Sequence, residues 1–295
     1  MFMPALPQPR TAAHRWRRFS HASLSLKTPA PMTHPAPRRA LHALLTTAFA
    51  AALALTGCDS YDGDDPYDEP ERTVVAASGD IAADLDAFRA VLGDSLNRAP
   101  GATTGRREID WDGVPAAFSD TDAFPGDFFN LVDPDGPNAR KRGAVFSTPG
   151  SGFRVSGTDL ADVDPSYGAQ FEAFSPTKTF VAAGSAVTDV TFQRPGEATA
   201  AAVHGFAVVF SDVDAEGSAT VEFFSATRSL GRYAAPAAPQ GVSLVGAHFP
   251  DEDVVRVRIV SGGAALGAGV LDVSDGGAAD LVVMDDFLYD EPRAL

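Results

Sequence analysis

Three sets of carboxylates are the residues in this sequence best suited to chemistry. Glu108, Asp110 and Asp112 alternate in Glu-Ile-Asp-Trp-Asp-Gly. On a strand every second residue shares a face, so these three line one side while Ile109 and Trp111 turn to the core. Like charges about 7 Å apart repel, and water, Arg106 and Arg107, or a cation must offset them. The second set is Asp212, Asp214 and Glu216, just before Gly217. That spacing can wrap oxygens around Ca²⁺, although Phe223 at the twelfth loop position excludes an EF-hand. Asp133-Pro-Asp135-Gly-Pro-Asn138 is a similar, weaker loop. The third set, Asp285-Asp286, interrupts an apolar strand. Consecutive strand residues point to opposite faces, so at least one of this pair is expected to be buried or at a sheet end. A buried carboxylate needs hydrogen bonds, an opposite charge or a metal. Calcium suits all three sets, because it takes six to eight oxygens and needs neither Cys nor His. The plainer alternative is that these are solvated acidic turns.

Other chemistries find less support. His204 and His248 are the only histidines after residue 57, and His204 shares strand parity with Phe206, Val208 and Phe210. That parity predicts a core or rim histidine. The sequence has no G-x-S-x-G elbow, no Walker loop and no G-x-G-x-x-G leading into a helix. Its one Cys excludes a disulfide framework, a Cys-rich zinc site and a CxxC pair. Glycoside hydrolysis needs only two suitably spaced carboxylates, and 39 acidic residues leave it open. Aromatic platforms for sugars are scarce: after residue 57 there is one Trp, and two of the five Tyr lie close behind Cys58. Phe124, Phe128 and Phe129 are expected in the core rather than in a loop patch.

The elements that must carry these residues are mostly strands. Asp80 is a good N-cap for one helix, with Ile81, Leu85, Phe88, Leu92 and Leu96 on a single face. Strand patterns, bounded by Gly, Pro, Asp and Ser, cover 106–112, 143–148, 152–156, 187–193, 203–211, 219–225, 228–233, 242–249, 253–260 and 280–289. No helices separate them, which argues for an antiparallel sandwich rather than βαβ units. The run 203–210 is apolar on both faces and belongs in the middle of a sheet, whereas Arg256 and Arg258 give their strand a wet face. The expected fold is mainly β: a single antiparallel β-sandwich, jelly-roll-like, with one N-terminal helix.

Charge divides the chain sharply. Residues 1–57 hold seven basic residues and no acidic one, while 58–295 hold 16 basic and all 39 acidic residues. So acidic a body repels phosphate backbones, and nucleic acid is excluded as a partner. Arg38-Arg39 precedes an apolar run from Ala40 to Leu55 that ends in Leu55-Thr56-Gly57-Cys58. A basic n-region, a short h-region and small residues at the end define a secretory signal. The run is too short for a comfortable membrane span of about 20 residues. The tetrapeptide resembles the lipobox of bacterial lipoprotein precursors. That resemblance implies cleavage before Cys58, lipidation of its sulfur and acylation of the palmitate type, anchoring the chain to the cell membrane. Met32 is a plausible start, which makes 1–31 a non-native or disordered extension and 32–57 the signal peptide. Residues 58–79 read as an acidic tether and 80–292 as the sandwich domain.

The stretch Val282-Val-Met-Asp-Asp-Phe-Leu-Tyr289 resembles the closing strand of secreted bacterial jelly-roll and lectin-like sandwiches. Arg107-Glu-Ile-Asp-Trp-Asp-Gly-Val-Pro115 resembles stretches in secreted proteins of unassigned function. The leading expectation is a lipid-anchored envelope protein of the outer membrane or cell surface. It would be a non-catalytic binding module for a glycan or an envelope protein, stabilised by structural calcium. One alternative is a polysaccharide-active hydrolase or lyase; another is a structural or adhesive envelope protein.

Overall fold

A computed structural model of the chain describes residues 69–295. The extension, the signal peptide, the lipidation residue Cys58 and the tether up to residue 68 lie outside the described residues. In chain order the elements are β1 (Thr73–Ser78), α1 (Ala82–Leu92), β2 (Arg106–Ile109), β3 (Ala144–Ser147), β4 (Gly152–Ser156), β5 (Thr179–Ala183) and β6 (Val187–Gln193). They continue with β7 (Ala200–Ala202), β8 (Gly205–Val213), β9 (Ala219–Phe224), β10 (Ser229–Ala234), β11 (Ala238–His248), β12 (Arg256–Ser261), β13 (Val283–Asp290) and β14 (Arg293–Ala294).

Two antiparallel sheets form the expected sandwich. One has the order β1-β11-β8-β13-β5-β4, with β2 also paired to β13; the other has the order β10-β9-β12-β6-β7-β14, with β3 paired to β6. β8 is buried along its whole length because both of its faces are covered. Phe206, Val208 and Phe210 point into the inter-sheet core, and Ala207 and Val209 point outward against α1. The helix lays Ile81, Leu85, Phe88 and Leu92 on that outer face. Each such side chain is worth about 1.5–3 kcal/mol when fully buried, which stabilises an 11-residue helix that would be marginal alone. Among the described residues, no helix is long and apolar enough to cross a membrane.

Several boundaries differ from the sequence reading, each for a physical reason. Ile81 is 1% exposed and occupies the cap position, so the helix begins one residue later than Asp80 predicts. The Asp80 carboxylate still accepts the Ala82 N–H at 3.4 Å. Thr73–Ser78, assigned to the tether from its sequence, is instead edge strand β1, paired with β11 from Thr73↔His248 to Ser78↔Ser243. At the other end β14, beyond residue 292, pairs with β7. The three-residue, Ala-only β7 carries too short a pattern to read, and β5 is a further strand that the sequence reading did not include. The strand expected at 106–112 stops at Ile109, and Trp111 adopts a left-handed conformation (φ 63°). That costs about 1–3 kcal/mol in a non-glycine residue. The indole recovers it by stacking on Phe180 at 3.9 Å and donating its N–H to the Asp285 carbonyl at 2.8 Å. Phe124, Phe128 and Phe129 are core residues around it.

Candidate metal centre

Two loops meet at one end of the sandwich. Asp212 takes a left-handed turn (φ 65°) near the end of β8, and the chain folds back through 214–218 into β9. The long connection from β12 to β13 brings Asp272 and Asp280 to the same place. Asp214, Asp272 and Asp280 each offer an oxygen within 4.8 Å of the other two.

Local hydrogen bonds fix two of these carboxylates. Asp272 Oδ2 accepts the Ser274 N–H at 2.7 Å and its hydroxyl at 2.5 Å, and Asp272 Oδ1 accepts the Leu281 N–H at 2.7 Å. Asp280 Oδ2 accepts from Asp214 N (3.0 Å), Ala215 N (2.8 Å) and the Ser218 hydroxyl (2.5 Å). Three oxygens are left over. Asp280 Oδ1 and both carboxylate oxygens of Asp214 are buried and have no hydrogen-bond partner among the described residues. Burial first, then the neighbouring carboxylates, push the Asp214 carboxyl up to about 7. Burial opposes ionisation of Asp272 as well, but its bonds from Ser274 and Leu281 outweigh this and hold it below the usual range. Two unit charges at 4.8 Å cost about 3 kcal/mol or more even at an effective dielectric constant of about 20. A proton on Asp214 relieves part of this repulsion, and the cluster could hold a metal ion. Comparisons of the chain with protein-family profiles, curated proteins and solved structures found no match.

The predicted residues are distributed unevenly around this centre. Asp214 belongs to it. Asp212 lies beside it, fully buried, with Oδ1 accepting from Gln240 N at 2.7 Å and Oδ2 from Gln170 Nε2 at 2.8 Å. Glu216 is exposed and stands apart. Asp272 and Asp280 were not singled out from the sequence. Asp272-Val-Ser274 does carry the signature of an Asx turn, but only tertiary packing brings it to Asp214.

Glu108, Asp110 and Asp112 do not form a metal set, contrary to expectation. Glu108 is paired with Arg89 at 2.9 Å and Arg106 at 2.7 Å, and these arginines hold its carboxyl below the usual range against the effect of burial. Asp112 Oδ1 accepts the N–H groups of Thr177 and Lys178. The Asp110 carbonyl accepts the Ser175 hydroxyl, and its side chain faces solvent.

Asp285 and Asp286 also depart from the expected alternation. The register of β13 against β8 slips by one between Met284 and Phe287, so a bulge sets both carboxyls on one side. The single Ser175 hydroxyl reaches Asp285 Oδ1 at 3.1 Å and Asp286 Oδ1 at 2.7 Å. Asp285 Oδ2 accepts the N–H groups of Phe174 (2.6 Å) and Ser175 (3.2 Å). Together with Asp112, the pair straps the 174–178 segment onto the sheet. Burial, and next the charge of Asp286, push Asp285 up to about 8, so the pair holds a proton at neutral pH. A carboxyl raised above its unfolded value of 3.8 makes the folded state bind more protons, so stability falls as pH rises from about 4 to about 8. Asp285→Asn supplies a permanently neutral group. Urea titrations at pH 5 and pH 8 should show the variant losing most of a slope of up to about 1.4 kcal/mol per pH unit. Parallel slopes for the two proteins would contradict a shared proton.

The histidines lie at the rim. His204 and His248 are half-buried with rings 6.0 Å apart, and burial lowers the pKa of both.

Proposed function

We propose that this protein is a lipid-anchored envelope module that binds a glycan, with calcium organising the loops that present the ligand cleft. The observation that carries the reading is the Asp214–Asp272–Asp280 cluster with its three unpartnered oxygens. An all-carboxylate donor set favours a hard cation, and outside the cytoplasm calcium is the abundant one that tolerates a flexible shell. A cleft of about 540 Å³ opens close by, lined by Asp159, Gln170, Glu172, Thr177 and Gln240 among others. Its carboxylates and amides supply the acceptors and donors that sugar hydroxyls require. Gln170 and Gln240 both hydrogen-bond Asp212, two residues from the metal ligand Asp214. A cation that fixes the 212–214 backbone thus fixes two residues of the cleft. The anchor rests on the Leu55–Cys58 motif and the acidic segment that follows it. The hydrolase reading would draw on the converging Asp112, Asp285 and Asp286, but both oxygens of Asp285 and one oxygen each of Asp112 and Asp286 are engaged by the 174–178 segment.

Thermal melting in 10 mM CaCl₂ against EDTA tests the metal. With a Kd of about 10⁻⁴–10⁻³ M, calcium should raise stability by about 1.4–2.7 kcal/mol. An unchanged midpoint removes calcium from the reading. Glycan-array binding in calcium, lost in EDTA, tests the cleft. Cys58→Ser should move the protein from the membrane fraction to the soluble fraction, and continued sedimentation with membranes would count against the anchor.

A further inference from the structure

A second cavity, built by other residues, has a different chemistry. It holds about 240 Å³, and its lining includes Asp110, Phe128, Phe129, Arg140 and Arg142, with Pro115 and Pro137. Its floor is aromatic, and both phenylalanines are nearly fully buried. Its walls carry two arginines. The Arg140 guanidinium lies 4.2 Å from the Phe128 ring centre, and that of Arg142 lies 5.3 Å from the Phe129 ring centre. Backbone carbonyls hold both in place: Arg140 Nε donates to Phe128 O at 3.2 Å, and Arg142 donates from Nε to Ala139 O at 3.0 Å and from Nη1 to Glu108 O. The Nη atoms of Arg140 and Nη2 of Arg142 have no hydrogen bond among the described residues, and neither arginine has an ion pair there. This is notable in a chain of net charge −16, where carboxylates are abundant. Asp110 also lines the cavity; it is exposed, and its carboxylate forms no hydrogen bond or ion pair among the described residues.

The cavity thus has unpaired residues of both charge signs in a mostly apolar lining. A ligand that bridges them must carry an anion at one end, a cation near it and an apolar side. We infer that the cavity binds a free α-amino acid with an apolar side chain of leucine or phenylalanine size. The carboxylate takes the free guanidinium N–H groups, which suit its two oxygens geometrically. The ammonium takes Asp110. The side chain packs on Phe128, Phe129, Pro115 and Pro137. The volume lies just under the range of about 300–1,000 Å³ typical of sites for larger ligands, which favours a single residue over a peptide.

The test is calorimetric titration of the purified full-length chain with L-phenylalanine, phenylacetate and phenethylamine, each with and without EDTA. L-Phenylalanine should bind about tenfold or more tightly than either fragment, and EDTA should not change it, which separates this site from the metal-organised cleft. Asp110→Asn should cost L-phenylalanine about tenfold in affinity and leave phenylacetate unaffected. Its folding is not at stake, since Asp110 is exposed and its side chain bonds nothing. Arg140→Met keeps the stem over Phe128 and should weaken L-phenylalanine and phenylacetate equally. Absence of binding at 10 mM L-phenylalanine, or equal affinity in wild type and Asp110→Asn, overturns the assignment. Tighter binding of phenylacetate than of the amino acid overturns it too.

Discussion

Asp214→Asn should make the protein more stable than wild type in EDTA and less stable than wild type in calcium. Without a cation, Asp214 places two unpartnered oxygens beside the carboxylates of Asp272 and Asp280. An asparagine removes one charge and supplies an N–H₂ that can donate to the neighbouring carboxylate oxygens, including the unpartnered Asp280 Oδ1. The gain should be about 1 kcal/mol, the usual net worth of one hydrogen bond. In 10 mM calcium the wild type gains about 1.4–2.7 kcal/mol from binding, and the variant, lacking one charged ligand, gains little. The rank order of melting temperatures therefore reverses with the metal. For a domain of this size each kcal/mol moves the midpoint by about 2–4 °C, so calorimetry resolves the crossing. A merely structural Asp214 would give one order in both buffers.

The sandwich was legible in the sequence because its signals are local and redundant. The two-faced apolar run at 203–210 is the central strand β8, between β11 and β13. Val257 and Ile259 point inward, while Arg256 and Arg258 reach across the outer face to Asp189 on β6 at 3.0 and 2.8 Å. The amphipathic stripe from Ile81 to Leu92 is the helix face that covers the sheet. The candidate metal centre was legible only by one third. Asp214 stood in a recognisable acidic loop, but its partners are 58 and 66 residues further along the chain, at Asp272 and Asp280. Nothing in the spacing encodes that encounter, which the packing of the sheets produces. Asp285 and Asp286 are both buried, in line with the expectation that at least one would be, but their departure from strict alternation has a different origin. Strict alternation assumes an unbroken ladder, and a single bulge inverts the parity from that point on. For Glu108 the sequence already offered the neighbouring Arg106 as a counter-charge, and that pair forms at 2.7 Å; its second partner, Arg89, and the 174–178 segment that engages Asp112 are contributed by elements distant in sequence.

Glu291→Ala should be among the most damaging single substitutions, costing about 3–5 kcal/mol. Arg107 and Glu291 form a bidentate ion pair, Nε to Oε2 at 2.8 Å and Nη2 to Oε1 at 2.7 Å, with both side chains removed from solvent. The remaining donors of Arg107 reach the carbonyls of Lys141 (3.1 Å) and Ala99 (3.0 Å), and Asn97 Nδ2 donates to Glu291 Oε2 at 2.9 Å. The pair ties β2 to the residue following β13, together with the 97–105 loop. Removing the carboxylate strands a guanidinium, which cannot shed its proton, in a dry site. The cost is thus mostly an uncompensated charge, not the worth of the pair. Replacing both partners, as in Arg107→Met with Glu291→Leu, removes the charges together and should recover most of the loss, to within about 1–2 kcal/mol of wild type. Urea denaturation of the two single variants and the double variant checks this. A double variant no better than the singles would mean that the bonds to Lys141, Ala99 and Asn97, not charge balance, carry the stability of this corner.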